Sequence, residues 1–170
     1  MRQVLAVAPL ATLALALAAG VVHAATPEIE RPPGAAQANR VTHLVRSIPE
    51  ACAWLQGTFT GHAANPYRFT PVRSSPKCQS RARFVDFAKA QPTEAKGWKL
   101  NDVIRIPSKD CPALQAVVQV WRKAAVGQPI ALDAQGRSRI YLKDARQAAK
   151  NAPPLAMFAA QVAVEGAACK

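Results

Sequence analysis

The chain is poor in the residues that enzymes most often use to move protons. Three histidines and ten acidic residues stand against twenty-two lysines and arginines in 170 residues. His23 falls inside an N-terminal leader, which leaves His43 and His62, and neither sits in a recognisable catalytic context. The acidic residues are scattered singly, as at Asp86, Glu94, Asp102, Asp110, Asp133 and Asp144. A pair of carboxylates for glycoside hydrolysis would therefore have to be assembled by the fold. No GxSxG elbow, phosphate-binding loop, HExxH or EF-hand pattern occurs. There is no CxxC, so the spacing excludes the usual zinc sites, and neither a metal nor a cofactor is expected. The chain also lacks an internal repeat and a second long apolar run. An enzyme is the less favoured reading, and no transmembrane segment is expected once the leader is removed.

What is present begins with that leader. Met1 and Arg2 give a short positive start, residues 4–19 are apolar and uncharged, and Val22-His23-Ala24 closes on small or tolerated residues. This is the pattern of a cleavable secretory signal over 1–24. The first cysteine after it is Cys52, which argues against a lipid-anchored form. The expectation is an exported protein, periplasmic or secreted, and the leader's brevity and alanine content suggest a bacterial source. A flexible N-terminal arm is expected over 25–42, rich in Pro, Gly and Ala without a periodic apolar face. One domain is expected over 43–170.

Cys52, Cys78, Cys111 and Cys169 all follow the leader, and an even count in an exported domain reads as two disulfides. Three connectivities are possible. A hairpin between 81–88 and 98–106 would bring Cys78 near Cys111 and leave Cys52 for Cys169, so the reading tilts to Cys52–Cys169 and Cys78–Cys111.

Alternation dominates the pattern along the chain. Ser47, Pro49 and Glu50 suggest a capped helix start, with Ile48, Cys52 and Leu55 on one face and Gly57 at its end; its rival is a strand through Trp54 to Phe59. Trp98, Leu100, Ile104 and Ile106 point one way, with Asp102 interrupting the row. The segment 114–122 fits a helical stripe through Leu114, Val117, Val118 and Trp121, but its β-branched cluster favours a strand. A hairpin is expected over 130–143, a helical turn at 145–151, and a last strand through Phe158, Ala160, Val162 and Val164. The three tryptophans, Trp54, Trp98 and Trp121, are read as core. The fold class is mainly β: a small antiparallel sandwich or barrel with one short N-terminal helix and two disulfides.

The functional hint is the net charge of +12. A basic surface attracts anionic partners: an envelope polymer, lipid head groups, nucleic acid or an acidic protein. The candidate anion-binding residues are Arg68, Arg73, Lys77, Arg81, Arg83, Arg137 and Arg139. Pro66, Pro71 and Pro76 suggest an irregular surface loop over 64–77, where Tyr67 and Phe69 either stack on a ligand beside arginine or tuck inward as plugs. The favoured function is a non-catalytic binding or accessory protein of the cell envelope. The alternatives are a secreted hydrolase built on Asp102 or His62, and a structural or assembly subunit offering a strand edge.

Overall fold

The computed structural model describes residues 25–125, 134, 142–143, 155–167 and 169. The leader and the turn at 145–151 lie outside the described residues. So does the 130–143 hairpin, Arg137 and Arg139 included, apart from Ala134, Leu142 and Lys143.

Two sheets share one core. The first runs in the order β1 (His43–Ile48), β2 (Ala53–Phe59), β3 (Tyr67–Arg73), all antiparallel. The second holds β4 (Ala82–Phe84), β5 (Lys99–Pro107), β6 (Leu114–Lys123) and β7 (Ala156–Gly166), in the order β4-β7-β6-β5. Its pairings are antiparallel except for β4 against β7, which is parallel. Among the described residues neither sheet closes into a barrel. Ile48, Leu55, Phe59 and Tyr67 of the first sheet pack with Ile104, Ile106, Val118 and Val120 of the second. The segment 114–122 is a strand, and the last strand lies where alternation places it.

The expected N-terminal helix is not formed. A single 3-10 turn, Pro49–Ala51, ends at Cys52, whose φ of 51° reverses the chain into β2. Ser47 caps nothing, because Ile48 stands at the N-cap position without a side-chain hydrogen bond. Ile48, Ala53 and Leu55 are all buried, so the apolar spacing that suits a helix is used by a hairpin. A short α-helix, α1 (Phe87–Ala90), lies later in the chain.

The expected loop over 64–77 holds a strand. Pro71 is tolerated because β3 is an edge strand, where a missing N–H breaks no ladder bond. Tyr67 is buried and Phe69 half-buried against the core, so both act as plugs rather than as exposed loop contacts. Trp54, by contrast, stands 42% exposed on the outer face of the first sheet and is not core.

The expected disulfides are corrected. The bonds are Cys52–Cys78 and Cys111–Cys169. The premise fails because β4 pairs with β7 and β5 with β6, so no hairpin brings Cys78 beside Cys111.

The segment 25–40 does not hang free. The amides of Glu28, Ile29, Gly34 and Gln37 donate to the carbonyls of Leu100, Asn101, Arg105 and Pro107, laying the segment parallel along the edge of β5. No helix among the described residues is long and apolar enough to cross a membrane.

Candidate functional site

Two β-bulges decide which side chains face the interior. In the first sheet Leu44 pairs with Gln56 but Arg46 with Leu55, so the irregularity between them turns Arg46 inward. In the second sheet Leu100 pairs with Trp121 and Asp102 with Val120. Cross-strand partners share a face. Asp102, Ile104 and Ile106 therefore face the core, while Leu100, and Trp98 by alternation, face the outer side. The row that reads as one apolar side in sequence is split by a single extra residue.

Asp102 is fully buried and is fixed from two directions, by Arg46 Nη1 at 2.8 Å and Arg31 Nε at 2.9 and 3.0 Å. Arg46 Nη2 also donates to Asn101 Oδ1, and Asn101 Nδ2 donates to Glu28, which in turn accepts from Arg122. These carboxylates are satisfied by neighbouring cations. Asp102 is out of reach of a substrate, which removes the first residue of the hydrolytic alternative. His43 is equally occupied: its Nε2 lies 2.8 Å from the Tyr67 hydroxyl, and its ring stacks on Phe59. His62 is exposed and lines a small cavity of about 190 Å³ with Asn39 and Asp110. There Asp110 Oδ2 accepts from the Asn39 amide. Among the described residues no group of three or more His, Cys, Asp or Glu is placed to hold a metal ion.

The outer side of the second sheet carries a different kind of site. Asp86 caps α1 by accepting from the Lys89 amide at 2.9 Å, and the helix ends one turn later at Gln91. Thr93 caps the 3-10 turn Glu94–Lys96, and Gly97 closes it with a φ of 75°. The left-handed conformation there favours glycine. The stem of Lys123 runs past the same position, with its Cε within van der Waals reach of any side chain built on Gly97. The helix α1 stands against β7, and residues of both short elements line an open cavity of about 600 Å³ with Trp98, Lys123 and Met157.

Val85, Ala90, Trp98 and Met157 form its apolar floor. Lys89, Lys96 and Lys123 stand at its rim, each from a separate element. Asp86 is the one carboxylate among the described lining residues, and its Oδ1 is engaged by the helix. Among the described residues, none of the three lysines forms an ion pair. Among the described residues Lys96 Nζ makes only long contacts, donating at 3.3 Å to the backbone carbonyl and at 3.4 Å to the side-chain Oε1 of Gln91. Such an arrangement favours a ligand that is negative at one end and apolar at the other.

No family model, curated protein or solved structure matches this chain.

Those of the arginines and lysines singled out in the sequence that are among the described residues are dispersed. Arg68 lies exposed on β3, in register with Thr58. Arg73 spends its guanidinium on the carbonyls of Ser75, Pro76 and Cys78, closing its own turn. Lys77 is exposed in that turn, and Arg81 is exposed where its amide meets the Glu50 carbonyl. Of those among the described residues, Arg83 comes nearest in register to the cavity: it pairs with Met157, which pairs in turn with Lys123, so the three share a row on the outer face. Lys89 and Lys96 escaped sequence reasoning because each sits on a one-turn element without periodicity. The signals that mark them are the caps, Asp86 three residues before Lys89 and Thr93 three before Lys96.

Proposed function

We propose that this chain is an exported, non-catalytic binding protein of the cell envelope, and that the anionic partner its charge attracts is held at the lysine-rimmed cavity. The observation that carries the reading is the convergence of Lys89, Lys96 and Lys123 from three elements over one apolar floor. Export is supported by the leader pattern and by two formed disulfides, which persist in oxidising compartments. Envelope polymers, lipid head groups and acidic proteins all offer the required charge. The dispersed cations, Arg68 and Lys77 among them, supply a general attractive field rather than contacts.

The test is retention of the purified protein on dextran sulfate and on phosphatidylglycerol vesicles as salt is raised. Binding is expected to weaken steeply with ionic strength, and to be lost in the triple variant K89A/K96A/K123A while R68A/K77A binds normally. Binding that ignores salt, or that survives the triple variant, overturns the assignment.

A hydrolytic reading keeps one foothold, the cavity shared by His62 and Asp110. Hydrolysis of any envelope ester or glycoside that is abolished by H62A would establish it in place of the binding role.

A further inference from the structure

We infer that the occupant of the lysine-rimmed cavity is a detached single-chain amphiphile, its acidic head at the lysines and its alkyl chain along Trp98 and Met157. The inference rests on the binding role proposed above and specifies its ligand. Three features select this class over a polyanion.

The first is size. About 600 Å³ falls within the range of sites that enclose one small molecule, roughly 300–1,000 Å³. The volume suits one small molecule lying in an open depression, its charged end at the lysines.

The second is the floor. Val85, Ala90, Trp98 and Met157 present hydrocarbon, sulfur and an indole edge, where a hydrated sugar or phosphate repeat would gain nothing. Trp98 is only 4% exposed and gives a fixed wall. Met157 is half-buried at the start of β7, and its unbranched thioether adapts to chains of different length.

The third is the placement of charge. Lys89 and Lys96 are exposed and Lys123 half-buried where they line the cavity, while Trp98 beside them is buried, so charge and hydrocarbon are offered to the same ligand. The long contacts of Lys96 with Gln91 are readily exchanged for a carboxylate.

The experiment titrates the protein with hexanoate, octanoate, decanoate and dodecanoate below their micelle concentrations, following tryptophan fluorescence and heat. The dissociation constant is expected to fall about fourfold per added methylene until the cavity is filled, the transfer free energy of a buried methylene. The matching alcohols are expected to bind at least about tenfold more weakly, because they leave the lysines without a charged acceptor. K96A/K123A should remove that preference for the acid over the alcohol. Met157→Ser should flatten the chain-length dependence and keep the preference, which separates floor from rim.

Dextran sulfate binding that depends on the lysines, without any fatty-acid binding, overturns the amphiphile and leaves the binding role standing. Binding to phosphatidylglycerol vesicles but not to dodecanoate overturns it in favour of a bilayer surface. Failure to bind any of these anions overturns both.

Discussion

Asp102 of β5 and Arg46 of β1 join the two sheets through the core, with Arg46 Nη1 donating to the carboxylate at 2.8 Å. Each reaches the interior by a bulge in its own strand. Arg31 completes the pair from the N-terminal segment, but its side chain is 47% exposed. Breaking a buried pair strands a charge, whereas losing an exposed partner costs little. Asp102→Asn and Arg46→Met are each expected to lower unfolding free energy by about 3–5 kcal/mol. Arg31→Ala should cost about 1 kcal/mol or less. The joint change Asp102→Leu with Arg46→Met should recover much of the loss, because it leaves no buried charge unpaired. Urea unfolding checks all four, and equal losses at Arg31 and Arg46 would refute the assignment of the buried pair.

Glu28 tethers the N-terminal segment to the end of β6. Hydrogen bonds from Arg122, and then from Asn101, hold its carboxyl well below the usual value of 4.5, at about 2. A depressed native pKa means the tether is fully present above pH 4.5 and is lost as pH falls through about 2. The amides of Glu28 and Ile29, which donate to Leu100 and Asn101, report it. Their hydrogen-exchange protection is expected to decline across that window, sooner at high salt. Glu28→Gln should remove the pH dependence and weaken protection at pH 7. Unchanged protection in that variant would show that the backbone bonds alone secure the segment.

Much of the second sheet is legible in the sequence because its signal is local. Val118 and Val120 alternate with Gln119 and Trp121, and Ala160 and Val162 follow the same period, so β6 and β7 announce themselves. The losses arise where a local signal has two physical solutions. Ser47-Ile48-Pro49-Glu50 suits a helix cap as well as a 3-10 reversal, and only the sheet waiting for β2 decides. Pro71 marks an edge strand as readily as a loop. The bulge at Asn101 is invisible, because one extra residue inverts the faces of Trp98 and Leu100 without changing composition. The candidate site is the least legible feature of all. Lys89, Lys96 and Lys123 belong to separate elements, and Met157 enters from a strand more than thirty residues later, so only the tertiary structure assembles them.

Gly57 has no room for a side chain. A Cβ there would stand 1.7 Å from the Tyr67 hydroxyl oxygen and 2.4 Å from its Cζ. Gly57→Ala must displace the buried phenol from its contact with Phe59 and is expected to cost about 1–3 kcal/mol, the usual range for overpacking. Pairing it with Tyr67→Phe should not restore stability, because the ring carbon itself is in the way. A thermal melt of the double variant equal to that of Tyr67→Phe alone would contradict the clash.

The His43 imidazole, beside that phenol, is pushed below its ordinary value of 6.5 by burial, with the Val41 carbonyl opposing the shift. The native state therefore favours the neutral ring. Its contribution to stability is fully present above pH 6.5 and is lost as pH falls through the lower native value. Wild-type melting temperature should decline on acidification below pH 6.5, and His43→Gln should remove that part of the decline. An identical pH profile in the variant would assign the acid sensitivity to other groups.

The two disulfides close loops of different length, with sequence separations of 26 for Cys52–Cys78 and 58 for Cys111–Cys169. Chain-entropy arguments give about 3.5 kcal/mol for the first and about 4.2 kcal/mol for the second. The gap of about 0.7 kcal/mol is small, so native contacts have room to reverse the order. Cys52 is buried in the turn between β1 and β2, and its carbonyl accepts from the Ser74 amide, so that bond also fixes the path from β3 toward β4. Cys111–Cys169 joins the start of β6 to the chain just beyond β7, where Leu114 already pairs with Gly166. Replacing each pair by alanine separates the two accounts. Chain entropy alone predicts the larger loss in C111A/C169A, and a larger loss in C52A/C78A would show that the turn geometry held by Cys52 outweighs loop length.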